Sequence, residues 1–363
     1  MKNQSLFSNH FLIVFNDSLK NINSFCVDGL NVIELPYKNI TFSSVLPIYK
    51  NIKKLIAKES ITHLHPWCTT AGALAFLLKK YYPGKLNLVI DSFEPHAEAM
   101  VQNGEWSRLS LKFKLLFYLE KQQAKHADHL IFAAAGMETY VQKKYQVNVK
   151  NYSVKPACVN LDMFSENKKK NSFLMKNLGI GDNIVCVYAG KFGGIYLDEE
   201  VFQFISCALS HWGDRFRFLL LSNITEQDLM SRLNKFNIAR NVIIKQFVEH
   251  KNIADYIGLA DFAICPVKPV PSKRYCSPIK NGEYWAMGLP VVITPNISID
   301  SDVIEKNNIG YVLKSLTTEE YLKAVRKIDH LRNEAGLTAK IRKIAENFRN
   351  YSIAEEIYTT IYS

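Results

Sequence analysis

Residues 262–293 read FAICPVKPVPSKRYCSPIKNGEYWAMGLPVVI. Phe262–Cys265 is a short apolar run closed by proline, the pattern of a buried strand. A loop rich in proline and cations follows. Ser277 then stands where an N-cap belongs, with Pro278 as the first helical residue. The helix runs to about Met287 and stops at Gly288, and Pro290 opens a second buried run, Val291-Val292-Ile293. Strand, loop, helix and strand in this order are one step of a parallel α/β sheet.

The same rhythm extends outward. Ile184–Tyr188, Arg217–Leu221 and Val242–Ile244 read as further strands, with helices over Glu199–Ser210 and Asn252–Leu259. A first series lies nearer the N-terminus, with strands at Phe11–Phe15, Asn31–Leu35, Ile61–Leu64, Leu86–Ile90 and His129–Ala133. Helices over Val45–Glu59, Ala71–Tyr81 and Leu109–Lys125 separate them. The polar run Ser165–Ser172, with Lys168-Lys169-Lys170, divides the two series. At 363 residues the chain is too long for one ordinary core. The expectation is therefore α/β, with two Rossmann-like domains over 1–164 and 165–349 facing a cleft. A helical region Thr318–Asn350 ends the second domain, and a last helix, about 350–363, is expected to pack back onto the first. Open parallel sheets bind ligands beyond the carboxyl ends of their strands, which directs attention to the loops after Tyr188, Leu221, Ile244 and Cys265.

Composition narrows the chemistry. The chain is 48% hydrophobic and 22% charged, as folded proteins are. The first apolar run, Phe11–Phe15, is far short of the ~20 residues that span a bilayer, and a cytoplasmic location is expected. Seven cysteines, Cys26, Cys68, Cys158, Cys186, Cys207, Cys265 and Cys276, are scattered without a Cys-x-x-Cys pair, which suits reduced thiols rather than a disulfide or zinc framework. Residues 1–160 hold 19 Lys+Arg against 11 Asp+Glu, a balance of +8, whereas residues 161–363 hold 26 against 23. The excess in the first half can draw it toward an anionic membrane, a polyphosphate lipid or nucleic acid. The helices over Val45–Glu59 and Leu109–Lys125, both basic and apolar, are the faces such a membrane would meet.

A helix N-terminus presents free N–H groups and the positive end of a dipole, which suits a diphosphate. Lys280 adds a full charge in the first turn, and Glu283, on the same face, can accept from ribose hydroxyls. The loop after Tyr188, Ala189-Gly190-Lys191-Phe192-Gly193-Gly194, lets a backbone approach closely at Gly190 and Gly193, and Lys191 can reach phosphates from the opposite side. Taken alone, a capped helix with a surface Lys–Glu pair, or a plain glycine turn, explains the same residues.

Ser277 to Pro290 resembles the Ser-Pro-x-Lys-x-x-Glu-Tyr-x-Ala-x-Gly-x-Pro form of the nucleotide motif in family 4 retaining glycosyltransferases of GT-B fold. The resemblance implies that Lys280 neutralises the donor diphosphate and Glu283 holds the ribose, with the Gly190–Lys191 loop touching the phosphates. It also implies mostly backbone contacts to the base near Phe247 and Val248. The family's usual first carboxylate falls at Tyr275, so either the donor sugar is held differently, through Arg274 or backbone N–H groups, or the donor is unusual. Asp91-Ser92-Phe93-Glu94-Pro95-His96 ends a strand where relatives place acceptor-facing residues. His96 is thus expected to join Lys280 and Lys191 in catalysis, with Asp91 and Glu94 as its partners. The His63-x-His65 pair resembles a common strand end and is read as packing.

These readings imply transfer of a sugar from a UDP- or GDP-linked donor to a hydroxyl of a saccharide or lipid-linked acceptor, with retention, in bacterial surface polysaccharide or glycoconjugate synthesis. No cofactor and no metal are expected, since lysines and a helix dipole meet the phosphate charge. Peripheral contact with the inner face of the membrane fits the charge, and no nucleic acid is expected. A nucleotide-sugar epimerase on the same frame, or a non-catalytic sugar- or nucleic-acid-binding protein, are the alternatives.

Overall fold

The computed structural model describes residues 10–36 and 42–363. Thirteen strands among them form three sheets. The first half holds β1 (Phe11–Asn16), β2 (Asn23–Val27), β3 (Leu30–Pro36), β4 (His63–Leu64), β5 (Asn87–Phe93), β6 (His129–Phe132) and β7 (Tyr152–Val154). The second half holds β8 (Ile184–Ala189), β9 (Phe216–Leu221), β10 (Ile243–Gln246), β11 (Phe262–Cys265), β12 (Val291–Ile293) and β13 (Gly310–Val312).

Strands β8 to β13 form one parallel sheet in the order β10-β9-β8-β11-β12-β13. Numbered from β8, this is 3-2-1-4-5-6, the order of a doubly wound dinucleotide fold. Every residue of β8, IVCVYA, is buried, as a strand covered by helices on both faces requires. The strand order reverses between β8 and β11, so the crevice beyond their carboxyl ends is the natural ligand site.

The first half is built differently from expectation. β4-β5-β6-β7 form a parallel sheet, but β1 and β3 pair in a separate three-stranded sheet that also holds β2. β2 runs antiparallel to β3 across a tight turn at Asp28 and Gly29. β2 itself, with Phe25 and Val27 exposed, carries no buried residue, so its sequence lacks the apolar signal of the other strands. β7 and β13, three residues each, also escape a pattern-based reading. The region Thr318–Asn350 forms two helices, Thr318–Leu331 and Leu337–Arg349, broken before Gly336, whose φ is +78°.

Two chain crossings join the halves. After β7 the chain passes through Lys155–Val159 toward the six-stranded sheet, and it returns after Arg349 as the helix Tyr351–Tyr362. The crossings lie side by side, with Val159 N–H donating to Arg349 C=O at 2.7 Å. The returning helix docks on the first half, where Tyr358 donates to Asp91 Oδ2 at 2.5 Å and the Tyr362 hydroxyl meets His65 Nδ1 at 2.5 Å.

At the end of β5 the register slips between Ile90 and Phe93, and Ser92 takes φ +52°. A bulge bends its strand and re-aims the residues beyond it, here Glu94, Pro95 and the short helix His96–Gln102. That helix is held from below by Glu120, which accepts from Ala97 N–H at 2.9 Å and from the Tyr145 hydroxyl at 2.8 Å, fully buried. Burial outweighs these bonds and pushes the Glu120 carboxyl up to about 8, with Glu94 and Glu98 adding to the rise. Its folded pKa therefore exceeds the ordinary 4.5. Between those values the folded chain keeps a proton that the unfolded chain has released, so stability falls as pH rises through the window and levels off above it. Glu120→Gln removes the charge and keeps Oε1 as the acceptor for Ala97 N–H, while its amide N–H takes the place of the carboxyl proton and donates to the Tyr145 oxygen. Its melting temperature should match the wild type near pH 5 and exceed it near pH 9, and a gap that does not change with pH would refute the assignment.

Candidate functional site

The helix Ile279–Ala286 begins beside the reversal point of the six-stranded sheet, between β11 and β12. Ser277 does not cap it. Its hydroxyl accepts from Ala157 N–H at 2.9 Å and from Arg349, so it serves the chain crossings, and Pro278 occupies the cap position in place of the first helical one. No side chain caps this helix, so its first N–H groups keep the donor capacity that a helix end carries.

Opposite it lies the loop after β8. Gly190 N–H donates to Leu221 C=O at 3.0 Å, and the buried Tyr188 donates its hydroxyl to Lys191 C=O at 2.6 Å, which pins the turn. A Cβ on Gly190 would stand 2.7 Å from the Tyr188 hydroxyl and 3.1 Å from Lys280 Cε. Only glycine fits there, and the contact sets Lys280 against the loop. From the other side the loop is clamped to the chain beyond β11, with Leu197 N–H on Pro266 C=O and Lys268 N–H on Ile195 C=O. The hydroxyl of Tyr284, buried in the helix, accepts from Ala189 N–H at 3.0 Å, fixing helix to strand.

Lys280 is half-buried and Lys191 exposed. Glu283, one turn beyond Lys280, is only 6% exposed, with His250 Nε2 at 3.9 Å from Oε1. Burial pushes its carboxyl above the usual range, against the pull of Lys280 and His250. Gly193, at φ +76°, opens onto free space. Phe247, directly after β10, is exposed, while Val248 packs against the core. These residues thus share one rim of the sheet.

The remaining expectations fare differently. Arg274 is engaged on its own half: Nη1 donates to Ser298 C=O at 2.7 Å and to Asp302 at 2.8 Å. Asp91 is not acceptor-facing. It is fully buried, with Lys155 at 3.2 Å, His65 at 3.4 Å and the Tyr358 hydroxyl around it. Burial raises its pKa, but these partners prevail and hold it below the ordinary carboxylate range. A buried carboxylate needs such partners, and meeting them makes Asp91 an anchor for the last helix. Glu94 and His96 do approach the second half. Burial raises Glu94 and lowers His96, and Lys273, itself 6% exposed, pulls both down. His96 is accordingly neutral near pH 7.

Lys273 was not singled out by sequence, nor was the packing of Tyr275, whose ring lies 4.9 Å from that of Tyr140 in the first half. Gln102 Oε1 accepts from Ser272 N–H at 2.8 Å beside them. The segment Pro271–Tyr275 therefore bridges the halves at one end of the cleft. Arg349 was also missed. It continues the i,i+4 series Leu337, Ile341, Ala345, all buried, and a cation on a buried stripe is the signal that announces a partner.

Residues 185–329 match the family model of the glycosyl transferases group 1. No curated protein matches the sequence. Among solved structures, a sucrose-phosphate synthase from Thermosynechococcus elongatus superposes with a TM-score of 0.74 at 14% identity, over 97% of this chain and 88% of that one. WaaG, a glycosyltransferase involved in lipopolysaccharide biosynthesis, gives 0.72 at 15% identity, over 96% and 90%. Anabaena HepE, solved in complex with UDP-glucose, gives 0.70 at 12% identity, over 90% and 85%. The fold of all three extends over nearly the whole chain, which has the GT-B architecture, and the match to the glycosyl transferases group 1 lies in residues 185–329 of its second half.

Proposed function

We propose that the enzyme moves a glycosyl unit from a UDP-linked sugar to a hydroxyl of a saccharide or lipid-linked acceptor, with retention, in the assembly of bacterial surface polysaccharide or a related glycoconjugate. The observation that carries this reading is the contact of Lys280 with the Gly190 turn across an uncapped helix end, with the buried Glu283 one turn away. A free helix end, a cation and a carboxylate follow one another there in the order that a nucleoside diphosphate needs. UDP is favoured over GDP because HepE, of the same fold, binds UDP and UDP-glucose.

In this reading the C1–O bond to the diphosphate breaks and its electron pair stays on the diphosphate oxygen. Lys280, Lys191 and the N–H groups at Ile279 and Lys280 meet that charge as it grows, a term often the largest in such catalysis. The acceptor oxygen bonds C1 from the same face and passes its proton to the departing phosphate oxygen. Glu283 holds the ribose, and backbone beside Phe247 and Val248 faces the base. Neutral His96 accepts or donates a hydrogen bond at the reacting sugar, with Glu94 and Lys273 near it. The enzyme needs no cofactor or metal in this scheme, because protein cations and a helix end carry the neutralisation.

Membrane contact fits one surface. Leu109, Leu111, Leu115 and Tyr118 are exposed along the start of the helix Leu111–His126, beside Arg108, Lys112 and Lys114. Leucines with a basic border suit an anionic lipid surface. The helix Phe42–Lys58, by contrast, turns Ile48, Ile52 and Ile56 into the core, so its lysines need no lipid. No helix among the described residues is long and apolar enough to cross a membrane.

Lys280→Ala should lower turnover of UDP-sugars by roughly 10²–10³-fold with an unchanged melting temperature, and full turnover in this variant would overturn the phosphate role. Gly190→Ala, which drives a methyl into Tyr188 and Lys280, should weaken UDP binding measured by calorimetry, and wild-type affinity would remove the loop from the site. For the lipid surface, the pair Leu111→Ser and Leu115→Ser should abolish co-sedimentation with vesicles containing phosphatidylglycerol while leaving nucleotide binding intact. Equal sedimentation of variant and wild type would sink that contact.

A further inference from the structure

The helix that begins at Ile279 is fastened at its start by a side chain from the far end of the second half. Arg349, 1% exposed, sends Nη2 to Asp300 Oδ1 and Nη1 to the Ser277 hydroxyl and to Ala157 C=O, the last at 3.3 Å. Asp300, also without exposure, takes Asn281 Nδ2 on its other oxygen at 2.6 Å. Ser277 immediately precedes the helix and Asn281 lies in its first turn, so both ends of that turn are tied to one guanidinium. Gly282 makes the approach feasible, since a Cβ there would meet Val159 Cγ1 at 2.9 Å and Arg349 Cγ at 3.3 Å.

The same residues are the chain crossings. Ala157 and Val159 belong to the outward one, and Arg349 is the last residue before the return. A change in the angle between the halves bends the chain at these two places, because nothing else covalent joins them. It must therefore displace, or be resisted by, the bonds that hold the first turn carrying Lys280. Hinge positions are the few residues that absorb such backbone change.

We propose that Arg349 is a positioning residue that couples the seating of the Lys280 turn to the interdomain hinge, through Ser277, Asp300 and Asn281. This rests on the reading of Lys280 as the phosphate-binding cation. Its consequence is that a nucleoside diphosphate on that turn and the relative setting of the two halves are linked through one buried cluster. Lysine at 349 keeps the charge but cannot serve three acceptors in a plane, as the arginine fork does.

The test uses the full chain and UDP as the probe, with affinity read by calorimetry and the UDP-induced change in radius of gyration by small-angle scattering. Arg349→Lys and Ser277→Ala should each weaken UDP by about tenfold and reduce the UDP-induced compaction. The double variant should be no worse than the weaker-binding single one, since both break one cluster. Ser277→Thr, which keeps the hydroxyl, should retain wild-type affinity. Should Arg349→Lys fail to fold, the serine pair alone decides. Additive losses, or wild-type affinity and compaction in Ser277→Ala, overturn the coupling. Wild-type protein that binds neither UDP nor GDP overturns the nucleotide reading itself, and the coupling with it.

Discussion

An arginine and an aspartate withdrawn from water persist only if nearly every donor and acceptor between them is matched, because desolvation can outweigh their attraction. Arg349 and Asp300 meet that demand by recruiting Ser277, Asn281 and the Ala157 carbonyl, groups spread over almost two hundred residues of sequence. Removing one partner from such a pair typically costs about 3–5 kcal/mol, since the other is left buried and unpaired. That demand fixes where the helix Ile279–Ala286 starts, how the outward crossing passes it and where the returning helix departs. Arg349 also lies over the face of Trp285, at 5.5 Å, so the cluster is sealed by aromatic packing from the same helix.

From that fixed start the rest of the site is set by topology. The order β10-β9-β8-β11-β12-β13 leaves a crevice where β8 and β11 part company, and the Gly190 loop and the Pro266 loop border it. Each is tied to the other by backbone hydrogen bonds, so neither depends on a ligand to find its place. Tyr188 and Tyr284, both buried, spend their hydroxyls on the backbone of the same strand and turn. Such preorganisation is what lets fixed dipoles meet developing charge without rearranging.

Much of this is legible in the residues. Runs such as IVCVYA and FAIC are apolar without alternation because both faces of their sheet are covered, and the pattern marks their ends to within a residue or so. The spacing of Lys280 and Glu283 and the turn at Gly190 likewise belong to local chemistry that sequence displays. The hairpin of β2 and β3, by contrast, exposes β2 throughout and so lacks a periodic signal there. Ser277 shows why a cap is hard to read: before a proline-led helix it has the composition of a cap, yet distant groups outbid the local N–H. Asp91 teaches the same lesson, since a carboxylate at a strand end looks available until Lys155, His65 and Tyr358, up to 267 positions away, are seen to surround it. Local propensity yields wherever a buried polar atom can be satisfied only by tertiary contact.

The tyrosine at 275 gains meaning from its neighbour Tyr140. A carboxylate there would gain nothing from packing against that ring. A tyrosine ring instead packs, at a centroid distance of 4.9 Å, and Ser272 N–H bonds Gln102 beside it. Segment Pro271–Tyr275 is therefore held to the first half by apolar contact and backbone bonding rather than left as a free wall of the cleft. Its charge is carried two residues earlier, by Lys273, which lies within electrostatic reach of Glu94 and His96. The ring at this position thus fastens the loop across the cleft, beside a buried ammonium from one half and a carboxyl and an imidazole from the other.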